Sequence, residues 1–182
     1  LDEEVVELCK VHLPKHRQGA FDDPRLTVLF ADAITYLRDN PESFDVLIID
    51  VPDPLEGGPA YLLYTQEFYA LAASRLAPGG IIVTQSGPCA STNVTEVFSA
   101  INKTMGLVLG ATSPYRVYIP SFGTMWGFIA AGLPDSLVLL EEPQAATYAC
   151  GIEVACAVAV LRRHRTSGHG WLAEVPSCCT RR

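Results

Sequence analysis

Residues 44–54 read Phe44-Asp-Val-Leu-Ile-Ile-Asp50-Val-Pro-Asp53-Pro54, and they give the strongest indication of the fold. The first six residues form a nearly continuous apolar run, which is typical of a strand buried on both faces of a parallel sheet. The run ends at Asp50, and the prolines after it exclude a regular helix or strand there. The stretch therefore predicts a buried strand that is followed by a stiff loop carrying acidic residues.

The segments around this strand alternate between helical and strand-like patterns. Apolar spacing and turn residues predict helices at about 2–13, 34–38, 65–76 and 94–105. The same signals predict further strands at 25–31, 81–85, 107–119 and 126–131, and the last two can form an antiparallel pair. Such alternation predicts an α/β protein with a doubly wound, mostly parallel sheet.

The charge of the chain is unevenly distributed. The formal net charge is -7; residues 1–160 hold 8 Lys and Arg against 19 Asp and Glu, whereas residues 161–182 hold 5 against 1. An acidic body argues against nucleic-acid binding and suits a cationic ligand. Charge alone favours the simpler interpretation, which is an acidic surface that keeps the protein in solution.

Composition also bears on the cellular environment. No apolar stretch of about 18 residues is free of charge, and the acidic start has no basic region, so we expect neither a membrane span nor a signal peptide. The six cysteines contain no C-x-x-C pair and show no zinc spacing with the histidines. We therefore expect reduced thiols, no metal site and a cytoplasmic location.

Three aspartates follow or end predicted strands. For Asp32 a helix N-cap and a ligand contact are equally good interpretations, because a helix pattern begins at the next residue. For Asp50 and Asp53 a cap is a weak interpretation, since no helix pattern starts before Thr65. Ligands of open α/β sheets bind beyond the carboxyl ends of the strands. We therefore expect Asp50 and Asp53 to face a ligand, with a solvated turn as the alternative.

An ordered set of motifs resembles the polyamine aminopropyltransferases, the spermidine and spermine synthases. The motifs are Asp50-Val-Pro-Asp53-Pro54, Glu56-Gly-Gly-Pro59-Ala60-Tyr61-Leu-Leu-Tyr64-Thr65, Val83-Thr-Gln85-Ser-Gly87-Pro and Ile119-Pro-Ser-Phe122-Gly123-Thr-Met-Trp126-Gly. The Glu-Gly-Gly-Pro form is most similar to the thermospermine synthase branch. The resemblance runs from residue 1 to about 134. It implies a Rossmann-like fold of the S-adenosylmethionine-dependent methyltransferase type.

The resemblance also implies an activity and a set of roles. The family transfers an aminopropyl group from decarboxylated S-adenosylmethionine, a co-substrate rather than a cofactor, to a polyamine. By position, Asp50 resembles the proton acceptor and Asp53 resembles the carboxylate that holds the acceptor amine. Asp32 and Ala33 resemble the pair that contacts adenine, and Pro59 and Ala60 resemble part of the wall around the adenine. Gln85 matches a residue near the reacting centre. Phe122 falls where many spermidine synthases carry a tyrosine that touches the amine.

The resemblance divides the chain into two parts. Residues 1–134 are expected to form a partial catalytic domain, and residues 135–182 a divergent, poorly ordered tail; from about residue 141 we expect no contribution to the sheet. The family's hairpin domain, first strand and glycine-rich loop are expected before Leu1, so we expect a truncated domain with little or no activity by itself.

Two other functions fit the same residues. A methyltransferase shares the fold and the acids at the strand ends, although Asp53 is not expected in methyltransferases generally. A non-catalytic paralogue that pairs with a full-length synthase is the other alternative, because members of the family commonly form homo-oligomers.

Overall fold

The computed structural model describes residues 3–55, 57–58 and 60–133, and the backbone of residues 157–161. The helices are α1 (Glu3–His12), α2 (Pro14–Arg17), α3 (Ala33–Asp39), α4 (Gln66–Ala73) and α5 (Val97–Leu109). The strands are β1 (Phe44–Asp50), β2 (Leu76–Pro88), β3 (Thr112–Ile119), β4 (Thr124–Gly132) and β5 (Ala157–Leu161). Short 3-10 helices span Ala20–Asp22, Tyr61–Tyr64 and Pro120–Phe122.

The strands form one mixed sheet in the order β3-β4-β2-β1-β5. Strands β1 and β2 are parallel, with Ile49 opposite Thr84 near their carboxyl ends. The pairs β2–β4, β3–β4 and β1–β5 are antiparallel. The predicted α/β class and the antiparallel pairing of the last two predicted strands are confirmed. The parallel pair places the residues that follow β1 beside the last third of β2.

One face of the sheet is covered by helices. Helix α4 contacts α3, α5 and β2, and α5 contacts β2, β3 and β4. Along β1, Leu47 and Ile49 are completely buried, whereas Val46 and Ile48 on the opposite face remain partly exposed. The expected burial of β1 on both faces is therefore met fully on one face only. The buried face makes β1 a rigid support for the residue at its end, Asp50.

The start of β2 contains a local irregularity. The residues Pro78-Gly79-Gly80, a composition typical of a turn, lie inside this strand, where Gly79 has a φ of 80° and the register with β1 shifts. A Cβ atom on Gly80 would lie 2.8 Å from the carbonyl oxygen of Phe44. The glycines therefore let β2 bend while it stays close to β1.

The expected strand at 25–31 is absent. Residues 26–30 are irregular, no described strand pairs with them, and Leu26, Leu29 and Phe30 are exposed. Helix α1 forms as predicted, but its apolar residues Val5 and Leu8 are exposed too. An apolar run with strand propensity still needs a neighbour to accept and donate its backbone hydrogen bonds. The described residues supply no such neighbour.

The expectation that nothing after about residue 141 joins the sheet is wrong for one segment. The backbone of β5 pairs antiparallel with β1, with Ala159 opposite Ile48. The segment Ala157-Val-Ala-Val-Leu161 is short and apolar. Its backbone provides hydrogen-bond partners for the edge of β1 that does not pair with β2. The other residues of the predicted tail lie outside the described residues, so the division at 134 stays a prediction. Among the described helices, none is long and apolar enough to cross a membrane.

Candidate active site

The loop after β1 carries the candidate acids on an irregular backbone. Asp50 is the last residue of β1, and residues 51–55 form neither helix nor strand. Pro52 and Pro54 fix two φ angles of this loop and cannot donate backbone hydrogen bonds. The conformation of the loop therefore depends on contacts made by its carbonyl groups and by neighbouring side chains.

A cleft of about 280 Å³ lies at the carboxyl ends of β1 and β2. It is lined by the loop from Asp50 to Asp53 together with Gln85, Phe122 and Trp126. The structure thus brings together four residues expected from the sequence, namely Asp50, Asp53, Gln85 and Phe122. This is the position at which open α/β sheets bind their ligands.

Asp50 is held in a partly dehydrated position. Its side chain is only partly exposed, and burial raises the pKa of its carboxyl group above the ordinary aspartate value. The cause is the loss of water around the charged form, which burial disfavours. A carboxylate with a raised pKa is a better proton acceptor than an ordinary aspartate. The strand end therefore offers a base at the wall of the cleft.

The amide of Gln85 connects the loop to the sheet. Its Nε2 donates to the Val51 carbonyl oxygen at 2.7 Å and lies 3.1 Å from the Tyr64 hydroxyl and 3.3 Å from Oδ1 of Asp53. The Tyr64 hydroxyl itself donates to the Val51 carbonyl oxygen at 3.1 Å. Gln85, Tyr64 and Val51 are all buried. One residue of β2 thereby fixes the backbone next to Asp50 and contacts the carboxylate of Asp53.

Two aromatic rings close one side of the cleft. The ring centroids of Phe122 and Trp126 lie 4.5 Å apart, and the two ring planes are inclined at 48°. The indole N–H of Trp126 donates to Oε1 of Gln85 at 2.8 Å. Electron-rich ring faces attract cations, and they also pack against methylene groups. A cleft lined by both carboxylates and such rings favours an organic cation with an aliphatic chain.

Trp126 and Tyr64 received no role from the sequence. Both lie in motifs that carry the resemblance, so the motifs themselves were the available signal. Tyr64 is placed by the short 3-10 helix Tyr61–Tyr64, which no apolar period reveals. Trp126 is placed by the irregular pairing of β2 with β4, in which Trp126 lies opposite Pro88.

Asp32, Ala33 and Ala60 lie outside the cleft lining. Asp32 is the N-cap of α3 and accepts from the Thr35 N–H at 2.8 Å, which holds the pKa of Asp32 below its ordinary value. Asp32 is nevertheless exposed, and Ala33 beside it is partly exposed. Ala60 is buried, and Pro59 lies outside the described residues. The helix-cap interpretation of Asp32 is confirmed, and its contact with a ligand stays a prediction.

Metal ligation has no support in this part of the chain. Among the residues that the structure describes, no three His, Cys, Asp or Glu side chains come close enough to hold a metal ion.

The sequence model of the Spermine/spermidine synthase domain matches residues 1–138. The chain belongs to this family. A polyamine aminopropyltransferase 2 of Pseudomonas aeruginosa is 46% identical over 131 residues, which are 72% of this chain and 37% of that protein. Thermospermine synthase ACAULIS5 of Arabidopsis thaliana is 39% identical over 143 residues, which are 78% of this chain and 42% of that protein.

Among solved structures, a spermidine synthase in complex with the transition-state analogue AdoDATO superposes with a TM-score of 0.62 and 27% identity. The superposition covers 71% of this chain and 43% of that chain. The Rossmann-like fold of the methyltransferase type and the family resemblance predicted from the sequence are confirmed. The match to each of these three proteins spans less than half of their length.

Replacement of Asp50 by Asn is expected to stabilise the protein at neutral pH. Because burial raises the pKa of Asp50, the folded protein binds this proton more tightly than the unfolded chain does. The charged form therefore destabilises the fold above the raised pKa, and the effect vanishes below the ordinary pKa of 3.8, where both states are protonated. Thermal midpoints of Asp50→Asn and the unsubstituted chain, measured from about pH 4 to pH 8, test this.

The difference in midpoint should be positive near pH 7 and should shrink as the pH falls. The unsubstituted chain at each pH is the control for general acid destabilisation. A variant that is less stable at pH 7, or a difference independent of pH, would show that Asp50 is not dehydrated in the folded protein.

Proposed function

We propose that the protein acts in polyamine biosynthesis and transfers an aminopropyl group from decarboxylated S-adenosylmethionine to a polyamine. Asp50 is the proton acceptor, and Asp53 holds the acceptor amine. One observation carries the proposal: in a member of the spermine/spermidine synthase family, a single cleft combines Asp50 and Asp53 with the rings of Phe122 and Trp126. An acidic cleft with an aromatic wall matches an aliphatic chain that carries positive charges.

The chemistry explains why this cleft needs a base. Only the neutral amine is a nucleophile, and an amine with a pKa of about 10.4 is neutral roughly once in 2500 molecules at pH 7, a cost of about 4.6 kcal/mol. A positioned carboxylate that accepts the proton contributes about 10²–10⁴-fold to the rate, which is a similar magnitude. The raised pKa of Asp50 brings its basicity closer to that of the amine. Asp50 is therefore suited to take this proton.

The proposed step needs no further reactant. The amine nitrogen forms a bond to the carbon next to the sulfonium, and the carbon–sulfur bond breaks with its electron pair passing to sulfur. Methylthioadenosine leaves as a neutral thioether, so no acid has to protonate it. The nitrogen loses one proton to Asp50. A second carboxylate, Asp53, orients the amine without taking part in the proton transfer.

Contacts with the donor are assigned by position in the family. Asp32 and Ala33 are proposed to contact the adenine, with Pro59 and Ala60 as part of its wall. The exposure of Asp32 and Ala33 supports this assignment, because both can be reached from solvent. Decarboxylated S-adenosylmethionine is thus a co-substrate, and no bound cofactor is proposed.

The acceptor is proposed to be spermidine, which would give thermospermine or spermine. Phe122 stands where many spermidine synthases carry a tyrosine, and its ring packs at an angle against Trp126 and offers no hydroxyl. The 39% identity to a thermospermine synthase supports the same branch. Putrescine, which would give spermidine, is the other acceptor to be compared in the assay.

Asp50→Asn is expected to lower the rate of methylthioadenosine release by about 10²–10⁴-fold, the usual effect of losing a general base. Single-turnover conditions with protein in excess are appropriate because we expect a low rate. Asp39→Asn, which removes an exposed carboxylate at the end of α3, is the matched control and should retain the rate.

The same assay separates the proposal from its main alternative. S-adenosylmethionine should support no methyl transfer to the polyamine under these conditions. An Asp50→Asn variant within about threefold of the unsubstituted rate would remove Asp50 from the role of base. Methyl transfer from S-adenosylmethionine would contradict the proposed reaction.

Asp53→Asn is expected to act on acceptor binding. Loss of this carboxylate should raise the apparent KM for the amine with little change in that for the donor, because the charge that attracts the ammonium group is removed. Glu67→Gln, which neutralises an exposed acid on α4, provides the control. Equal KM values for putrescine, spermidine and spermine in Asp53→Asn and the unsubstituted chain would exclude this role.

A further inference from the structure

The hydrogen bonds of Gln85 fix the orientation of its amide. Oε1 accepts from the Gly87 N–H at 2.9 Å and from the Trp126 indole N–H at 2.8 Å, and both of these groups can only donate. On the other side, Nε2 faces the Val51 carbonyl oxygen, which can only accept. Turning the amide over would place acceptor against acceptor and donor against donor. Only one orientation of the side chain is therefore compatible with its surroundings.

The polar atoms of Gln85 are fully used by the protein. Its two amide hydrogens face three acceptors, and the shortest contact is to Val51. The Tyr64 hydroxyl donates to the same carbonyl oxygen, so its own oxygen can accept from Gln85. Gln85 thus has no spare hydrogen bond for a substrate. Its contribution to the reaction must act through the groups that it holds.

Tyr64 stays a hydrogen-bond donor across the working pH range. Burial is the largest cause that raises the pKa of its hydroxyl, and the neighbouring Tyr69 and Asp53 raise it further. An ionised Tyr64 could not donate to the Val51 carbonyl oxygen. The hydroxyl is therefore protonated at neutral pH and can donate to the carbonyl oxygen beside Asp50. Hydrogen bonds inside a buried network of this kind also strengthen one another.

From this geometry we infer that Tyr64, Gln85 and Trp126 form one positioning network, here called the loop clamp, for the acidic loop at residues 51–53. The inference rests on the proposed function, in which Asp50 accepts a proton from the amine and Asp53 binds the amine. Tyr64 and Gln85 both donate hydrogen bonds to the Val51 carbonyl oxygen. Trp126 donates to Gln85, and its ring lines the cleft. The aromatic wall and the acidic loop are thereby linked through a single amide.

The loop clamp predicts communication between Tyr64 and Trp126 in the ligand-free chain. The chain has two tryptophans, so ¹⁵N labelling gives two indole N–H signals, and Trp126→Phe assigns them. Tyr64→Phe keeps the ring but removes the hydroxyl, so the Gln85 amide loses one of its three acceptors and should be held less tightly. The Trp126 indole N–H signal should shift, and its hydrogen exchange should accelerate by about 5-fold, the effect expected from weakening one hydrogen bond.

Tyr61→Phe is the matched control, because Tyr61 lies in the same 3-10 helix but is exposed. It should leave both indole signals unchanged. If Tyr64→Phe leaves the Trp126 signal and its exchange rate as they are, the loop clamp does not exist. This measurement uses no substrate, so it decides the inference even if the chain transfers no aminopropyl group.

Kinetics test whether the loop clamp serves the reaction. Tyr64→Phe and Trp126→Phe should each weaken apparent acceptor binding and slow transfer by about 5-fold, with donor binding unchanged. The double variant should lose less than the product of the two effects, since both act through Gln85. General destabilisation would instead weaken donor and acceptor binding together. Multiplicative losses in the double variant, or equal weakening for both substrates, would overturn the positioning role.

Absence of methylthioadenosine release from the unsubstituted chain, which by itself is expected to have little or no activity, would concern the proposed function and not the loop clamp. The indole signals would then remain the deciding measurement for the network.

Discussion

The hydrogen bond from the Gln85 amide to the Val51 carbonyl oxygen, 2.7 Å long and buried, is the contact on which the site depends. Residues 51–55 belong to no helix or strand, so regular backbone pairing does not hold them. Instead, one side chain of β2 reaches across the parallel pair and holds the first residue after β1. Without that contact, Asp50 would still end a buried strand, but the loop that carries Asp53 would have no fixed conformation. The parallel arrangement of β1 and β2 is what brings Gln85 within reach.

A second constraint is electrostatic. A charged carboxylate that loses water at a strand end destabilises the fold. The raised pKa of Asp50 reflects this free-energy cost of dehydration. Asp53 adds a second negative charge to the same cleft. Such a site favours a cationic occupant, which compensates the carboxylates when it binds. The proposed amine acceptor would supply this positive charge, and the aromatic pair Phe122 and Trp126 would contact its methylene groups.

Much of this arrangement could be predicted from the sequence. The apolar run before Asp50 indicated a buried strand, and the helix expected from about residue 65 is present as α4, with Thr65 as its N-cap. The position of Asp50 at a strand end and of Asp53 after it followed from local patterns. The confirmed family resemblance added Gln85 and Phe122, which line the same cleft.

The remaining features depend on contacts between distant residues. Residues 26–30 have a strand pattern but no described partner, and β5 pairs with β1 across more than a hundred residues. The network of Tyr64, Gln85 and Trp126 joins three elements through side-chain geometry, for which no spacing rule exists. Local patterns therefore predicted where β1 ends, but not which side chains hold the loop that follows it.

The central claim is that the cleft at the ends of β1 and β2 binds an amine beside a dehydrated Asp50. The most direct measurement is a pH titration of ¹³C-labelled aspartate carboxyl groups, with and without spermidine. The account predicts that Asp50 titrates above the ordinary aspartate range without the amine, and that spermidine shifts the Asp50 and Asp53 signals but leaves that of exposed Asp39 unchanged. An ordinary midpoint for Asp50, together with equal responses of all three aspartates to spermidine, would contradict it.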